Sequence, residues 1–415
     1  MFSLKSSFLK NVLTLFTGSI LSQVITLAIS PILTRQYSPN DFGEYAFYLS
    51  IITILSVVAT GRYELAIMIA DGNEKADATT YLCLIISLLA GGFVLITAII
   101  LKSFGFFIKY NHLLFYAAFH IMLIGFYNTF YHRLNRYGRF NMISMVVIVQ
   151  SSVVAIYQIA FGFINPGSIH LIVGNILGIF TSVLTILFLD RGIGNIFKYR
   201  VMILEMSRRY INFPKFDLWA GLFNIGFQQL PVILITTLFG TTNGGYFSLT
   251  QRVLQAPVSL IGGSILGAFR QKAVEDFRNY GQCSRLFLKV MYFMFFVAIL
   301  PTLLVLFYGK SIFEYLFGSQ WGTAGLFSQI MILAFLARFV ASPLTYLFYI
   351  AERQDWNLIG QVLFIIVTFL GFFIGYKFDS VVLGLVIYTA GNCVLYTLYL
   401  YISYLFSKGL YVYKR

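Results

Sequence analysis

The chain is a succession of long uncharged stretches separated by short polar ones. Asn11 to Thr34 carries no charge, and neither do Ala78 to Leu101, Trp356 to Tyr376 or Ser380 to Ser407. A bilayer core takes about 20 residues of helix to cross, so each of these runs is long enough for a span. Phe140 to Leu189 is too long for one crossing, and Asn165-Pro166-Gly167 divides it with a strong turn signal. The run beyond Asp217 divides in the same way at Gly240-Thr-Thr-Asn-Gly-Gly245. The pattern predicts twelve helical spans at about 11–34, 42–68, 79–101, 113–134, 141–163, 168–189, 216–239, 244–269, 287–309, 324–350, 356–376 and 380–406. These runs are apolar all round, unlike barrel strands of about ten residues with alternating polarity. The expected fold class is therefore an all-α integral membrane protein of about 12 transmembrane helices.

Composition agrees with lipid as the solvent. Hydrophobic residues make up 59% of the 415 and charged ones 11%, with a mean hydropathy of +0.82. Average globular chains carry roughly 45–50% apolar and about 25% charged residues. Lys5 and Lys10 precede the first apolar run as they would in a secretory signal, but that run exceeds the roughly 7–15 residues of a signal core. No small-residue cleavage site follows it, so an uncleaved first span is expected. Cys83 and Cys393 fall in predicted helices and Cys283 in a loop, without C-x-x-C spacing. Neither a disulfide nor a metal site is expected.

Charge sets the orientation. The chain carries 29 Lys and Arg against 15 Asp and Glu, a net +14. Placing the N-terminus in the cytoplasm puts most of the basic residues on cytoplasmic segments, among them Arg133, Arg136, Arg139, Arg208, Arg209, Arg270 and Lys272, as the positive-inside rule requires. Both termini are then cytoplasmic. Topology and attraction to anionic headgroups explain the basic balance, so no nucleic-acid partner is expected.

Six spans precede the longest inter-helix segment and six follow it. The expected organisation is an N-terminal lobe at 1–189, a basic cytoplasmic linker at 190–215 and a C-terminal lobe at 216–415. The first helix of each lobe carries a proline, Pro31 or Pro231, followed at matching spacing by Gly43 and Tyr45 or by Gly244 and Tyr246. Six intervening helices make such repeats parallel, with a central cavity and the substrate site expected between them. Pro31 and Pro231 are the candidate hinges. Polar residues recur at helical spacing along the same elements: Ser19, Gln23, Thr26 and Ser30; Asp217, Gly221, Asn224 and Gln228; Ser248, Arg252, Gln255 and Ser259; Arg338, Ser342, Thr345 and Tyr349. Such stripes face a bundle interior or a wet cavity, or serve as helix-packing surfaces.

Three arginines fall inside predicted helices: Arg62, Arg252 and Arg338. An arginine at the membrane centre costs about 2.5–3.5 kcal/mol on insertion scales, so each needs a partner or a cavity. A guanidinium is always charged and holds phosphate bidentately, which suits a lipid pyrophosphate. Arg252, Arg338 and Arg62, with Gln23, Asn224, Gln228 and Gln255, are the candidate substrate-binding residues. Glu64 and Asp217 are candidate ion or gating groups, with Na+ or H+ as the coupling ion. Glu64 follows Arg62 by two positions, so on a continuous helix the two do not share a face. The four histidines lack H-E-x-x-H or any paired spacing, and no G-x4-G-K-[ST] loop exists for ATP. No cofactor and no catalytic residue is expected. Gly174-x3-Gly178, Gly263-x3-Gly267 and Gly371-x3-Gly375 read as helix-packing motifs.

The segments Gly18-Ser-Ile-Leu-Ser-Gln-Val-Ile25, Pro31-Ile-Leu-Thr-Arg35, Tyr37-Ser-Pro-Asn-Asp-Phe-Gly-Glu-Tyr45 and Gly61-Arg-Tyr-Glu-Leu-Ala-Ile67 resemble bacterial O-antigen repeat-unit flippases. Those belong to the multidrug/oligosaccharidyl-lipid/polysaccharide exporter superfamily. The detailed likeness covers the first seventy residues or so, and beyond them the agreement is in topology. The resemblance implies an inner-membrane flippase for undecaprenyl-pyrophosphate-linked oligosaccharide. It would work by alternating access, alongside other polysaccharide-assembly membrane proteins. It also implies diphosphate contacts at Arg62 and Arg252. The nearest rival is a multidrug/cation antiporter of the same superfamily, which would want carboxylates where this chain has arginines. A membrane polysaccharide polymerase would need a sizeable external domain, which the short predicted outer loops do not supply.

Overall fold

The computed structural model describes residues 2–104, 111–190 and 199–411, with side chains from residue 17 onward except at 111, 112 and 264. The middle of the expected linker, 191–198, and the centre of the outer loop before His112 lie outside the described residues. So do the side chains of Lys5, Lys10, Lys109 and His112 and the C-terminal Lys414 and Arg415.

Fifteen α-helices run along the described chain: α1 Phe2–Gln36, α2 Pro39–Ser56, α3 Glu64–Ile69, α4 Gly72–Ser103, α5 Asn111–Arg136, α6 Phe140–Ile164, α7 Ser168–Leu189, α8 Arg200–Arg209, α9 Leu218–Phe239, α10 Thr241–Tyr280, α11 Ser284–Phe317, α12 Gly322–Leu344, α13 Leu347–Ile350, α14 Gln354–Lys377 and α15 Val381–Ser407. A π-helical turn, Phe213–Asp217, leads into α9, and a 3-10 turn, Ser319–Trp321, leads into α12. Among the described residues, eleven helical stretches are long and apolar enough to cross a membrane. The protein is an all-α multi-pass membrane protein.

The expected second span, 42–68, is the exception. Asp41 and Glu44 dilute its first turns, and the helix stops at Ser56. From Val57 to Tyr63 the backbone closes four-residue turns, such as Gly61 N to Val58 O at 3.0 Å and Tyr63 N to Thr60 O at 3.2 Å. Gly61 and Arg62 both take positive φ, 61° and 66°. Two successive left-handed residues cannot continue a right-handed helix. The chain resumes as the short α3, whose end is capped by Arg136 of α5. That guanidinium donates to the carbonyls of Ile67 (2.8 Å), Met68 (3.1 Å), Ala70 (2.8 Å) and Gly72 (3.1 Å), satisfying the acceptors a helix end leaves free.

The helices form two compact units, one comprising residues 1–37 and 45–229, the other 38–44 and 230–415. In the first, α1 packs on α6, α4 on α5, and α7 on both α5 and α6. One end of this unit is tied by a buried ion network. Arg133 Nε donates to Asp190 at 3.0 Å and its Nη1 pairs with Asp77, while Arg139 reaches Asp190 at 2.7 Å. Three helices, α4, α5 and α7, are thereby joined where Arg133 and Asp190 are excluded from solvent. A core of Tyr63, Ala66, Ile67, Tyr81, Cys83, Met206 and Tyr210 packs α3 and α8 onto α4.

In the second unit α12 is the central post, touching α10, α11 and α15. The start of α2 belongs here, against the start of α10. Gly43 lies so close to the Thr241 carbonyl, and Gly245 to the Pro39 carbonyl, that a methyl group on either would collide with backbone. Gly43 of the suggested repeat takes part in this reciprocal close approach, but its partner is Gly245; Gly244, the glycine matched to it by spacing, faces the Thr236 side chain. Asn40 and Thr241 are hydrogen-bonded alongside the close approach. Pro31 and Pro231 lie inside α1 and α9, and Pro257, Pro301 and Pro343 inside α10, α11 and α12. Of the three Gly-x3-Gly motifs, Gly174 and Gly178 press on α6 and Gly371 and Gly375 on α15. Gly263 and Gly267 meet nothing within 4 Å. The packing expectation fails there because no described neighbour covers that side of α10.

Candidate functional site

The broken second span brings together a set of charges within the first unit. Arg62 Nε donates to Asp217 Oδ2 at 2.7 Å, and its Nη1 lies 3.6 Å from Glu64 Oε1. The expectation that Arg62 and Glu64 point apart assumed a continuous helix, and the left-handed turn at residue 62 removes that assumption. Glu64 is buried and also accepts a hydrogen bond from Thr60 Oγ1. Gly221, one turn beyond Asp217, makes room for the guanidinium. A Cβ there would stand 3.4 Å from Arg62 Nε and 3.0 Å from Val57. Half of the polar stripe on α9 is therefore a seat for Arg62. Asn224 and Gln228 lie further along the same stripe, both exposed, and Gln228 Nε2 donates to Asn224 Oδ1 at 2.7 Å. Gln23 is half-buried on α1 and engaged by a neighbour.

The second unit holds the other two arginines. Arg252 is the twelfth residue of α10, roughly 17 Å from its start at 1.5 Å per residue. Its guanidinium lies 5.8 Å from the centroid of Phe42, which in turn packs edge-on against Trp321 at 5.0 Å. Arg338 is seventeen residues into α12, 6.0 Å from the Phe335 ring. Both arginines are half-buried, as is Gln255, one turn from Arg252. Among the described residues no carboxylate pairs with Arg252 or Arg338. Most acids are taken elsewhere: Asp77 and Asp190 by Arg133, Asp217 and Glu64 by Arg62, Asp71 by Arg209, Glu275 and Asp276 by Lys272, Glu314 by Lys310 and Asp355 by Arg353. Aromatic faces stabilise a guanidinium without neutralising it. What remains is two permanent cations in apolar spans, each with N–H donors available for an anion.

The structure thus gathers Arg62, Glu64 and Asp217 into one ion-paired cluster, and Asn224 and Gln228 into a polar pair. Arg252 and Arg338 stand on the neighbouring helices α10 and α12. Thr60 and Gly221 complete the Arg62 cluster; Gly221 lay on the stripe already read through Asp217, whereas Thr60 carried no signal of its own. Arg136 did carry one, since Arg133, Arg136 and Arg139 repeat at three-residue intervals. The cap it forms was hidden because the carbonyls it meets, 64 to 69 residues away, are backbone groups that side-chain pattern does not place.

Apolar spans gathered into two compact helical units define a polytopic all-α membrane fold. Solved structures with that architecture include an inward-facing multidrug resistance MATE family transporter of the MOP superfamily. Its TM-score is 0.66 at 16% identity, over 92% of this chain and 93% of that one. A variant of the Vibrio cholerae MATE transporter VcmN aligns with TM-score 0.56 at 14% identity over 99% and 98% of the two chains. A MOP superfamily transporter from Pyrococcus furiosus, described as having a binding pocket of reversed polarity that suggests a different function, aligns with TM-score 0.52 at 14% identity over 96% and 95%. The fold is that of the MOP superfamily. A family model described as polysaccharide biosynthesis protein matches residues 32–325, and the chain belongs to that family. A search of curated protein sequences gives no match.

Proposed function

We propose that this protein is a flippase for an undecaprenyl-pyrophosphate-linked oligosaccharide, an O-antigen or related surface-polysaccharide repeat unit. It works by alternating access in the bacterial inner membrane, with both termini cytoplasmic. Membership of the polysaccharide biosynthesis family supports the substrate class. The observation that carries the reading is the pair Arg252 and Arg338, charged, within apolar spans and without a carboxylate partner. Insertion of such residues is costly, and a diphosphate headgroup is the ligand whose charge and forked geometry they fit.

In this reading Arg252 and Arg338 hold the diphosphate, while Gln255, Asn224, Gln228 and Gln23 offer hydrogen bonds to sugar hydroxyls. The polyprenyl tail stays in lipid. Arg62 acts as a gating residue rather than a free ligand, because Asp217 and Glu64 already hold it. A gradient of Na+ or H+ would act through those two acids, and Pro31 and Pro231 let α1 and α9 bend. The lobes run 1–189 and 216–415, joined by 190–215, and other polysaccharide-assembly membrane proteins supply and receive the substrate.

The likeness to multidrug transporters favours a second reading, export of cationic drugs. It would need an unpaired carboxylate, and Glu64 is engaged by Thr60 and Arg62. Complementation separates the two. In a flippase-deleted strain the wild-type chain should restore surface polysaccharide, and Arg252→Ala should not, at equal membrane abundance. Drug resistance without restored polysaccharide would replace the flippase with the antiporter.

A further inference from the structure

Arg270 was accounted for in the sequence by the positive-inside rule alone, and the structure gives it a setting that rule does not require. Its guanidinium stacks over the Tyr346 ring at 4.3 Å, the shortest such distance on α10. The Tyr346 and Tyr349 rings lie 5.6 Å apart, with Tyr349 exposed. No carboxylate among the described residues pairs with Arg270, since the nearby Glu275 and Asp276 are both held by Lys272 at 3.2 Å. We infer that Arg270, Tyr346 and Tyr349 form a second site for a sugar-diphosphate headgroup, where the substrate lands before it reaches Arg252. The inference rests on the flippase reading and extends it.

Helix geometry ties the two arginines together. Arg270 is eighteen residues after Arg252, and at 3.6 residues per turn that is five whole turns. By ideal helix phase both fall on one side of α10, at most about 27 Å apart along an axis that Pro257 lies within. Between them on that face come Ser259, Gly263 and Gly267, and the two glycines have open space beside them. Ser342 of α12 lies against Gly262, its Oγ 3.7 Å from where a Cβ would be, and Tyr346 and Tyr349 follow it at four and seven residues. The second arginine thus shares with the first a helix face of mostly small residues, open beside Gly263 and Gly267, and has an aromatic ring beside it.

The chemistry fits a headgroup better than it fits a lone phosphate. A guanidinium stacked on a ring keeps its N–H edges free to fork a phosphate, while the ring face shields its flat side. Tyrosine rings also offer faces for the CH surface of a pyranose, with hydroxyls at their edge. A span of about 27 Å is too long for one diphosphate to touch both arginines, so the two act in succession. Passage along a path needs sites that bind firmly enough to capture and weakly enough to release.

Initial transport rates decide the matter, using full-length protein in phosphatidylcholine–phosphatidylglycerol vesicles and a synthetic short-chain polyprenyl-diphosphate-linked N-acetylhexosamine. Arg270→Ala and Tyr346→Ala should each raise KM about tenfold with Vmax within twofold of wild type. Arg270→Lys should fall between, since a point charge replaces a fork, and Tyr346→Phe should raise KM less than Tyr346→Ala, because the ring face remains while the hydroxyl is lost. Should Arg270→Ala fail to fold, the two Tyr346 variants carry the test. An unchanged KM in Arg270→Ala and Tyr346→Ala, or a loss confined to Vmax, would overturn this site and leave the flippase standing. Absence of any saturable transport by the wild type would overturn both.

Discussion

Arg62 holds a left-handed backbone that costs a residue with a side chain about 1–2 kcal/mol. It keeps that geometry because its guanidinium is fixed on both sides, by Asp217 at 2.7 Å and by Glu64 at 3.6 Å. Removing the cation leaves Glu64 buried without its partner, so Arg62→Ala should lower transport at least tenfold and also reduce stability. The reversed pair, Arg62→Asp with Asp217→Arg, separates gating from ligand binding. If the residue acts by holding Asp217, the double variant should recover part of the activity that each single variant loses, with a coupling of about 0.5–3 kcal/mol between the two sites. No recovery at normal membrane abundance would return Arg62 to the list of direct ligands. At Gly221 the test is steric: valine there should displace the guanidinium and reproduce the Arg62→Ala defect, because a Cβ alone already stands 3.4 Å from Nε. Gly61 was the one residue whose chemistry pointed to the break. The surrounding residues are apolar enough to read as unbroken helix, and the ion pair that holds Arg62 comes from 155 residues away.

Among the elements, α3 is the one that could not stand alone. Six residues are too few for an isolated helix in any solvent where water competes, and four carbonyls near its end are held by Arg136. Arg136→Met should leave the other spans intact and raise amide exchange across residues 64–70. Protection there equal to wild type would mean that packing of Ala66 and Ile67 suffices. The network at the ends of α4, α5 and α7 is a stronger constraint. Arg133→Leu takes the buried cation from Asp77 and leaves Asp190, which is excluded from solvent, one arginine short with Arg139 still at 2.7 Å; breaking a buried pair outright costs about 3–5 kcal/mol, and the loss here should fall below that. A fall in detergent melting temperature of several degrees is expected. Gly43 was visible as one member of a repeat with Gly244. That it meets the Thr241 carbonyl, with Gly245 as its close-approach partner, was not, because nothing in the spacing says which backbone groups each glycine meets. Gly43→Ala should therefore destabilise by roughly 1–3 kcal/mol, as overpacking does.

At the scale of the whole molecule, hydropathy carried most of the fold. Span length is set by bilayer thickness and charge by the cost of burying it, so apolar runs and the basic residues between them locate helices without tertiary information. The candidate site was legible for a related reason: an arginine in an apolar run stands out, and Arg252 and Arg338 did. Arg270 did not, since a basic residue on a cytoplasmic segment has an ordinary explanation until its aromatic partner, 76 residues away in the turn between α12 and α13, is known. The central claim is that the protein uses cations without acid partners to bind an anionic headgroup. Its most direct test is equilibrium binding of a short-chain polyprenyl diphosphate, and separately of a lipophilic cation, to purified wild type and Arg252→Ala. The wild type should bind the diphosphate in a salt-sensitive manner and ignore the cation, and Arg252→Ala should bind the diphosphate at least tenfold more weakly. Tight binding of the cation by wild type, with diphosphate affinity unchanged in Arg252→Ala, would contradict the claim.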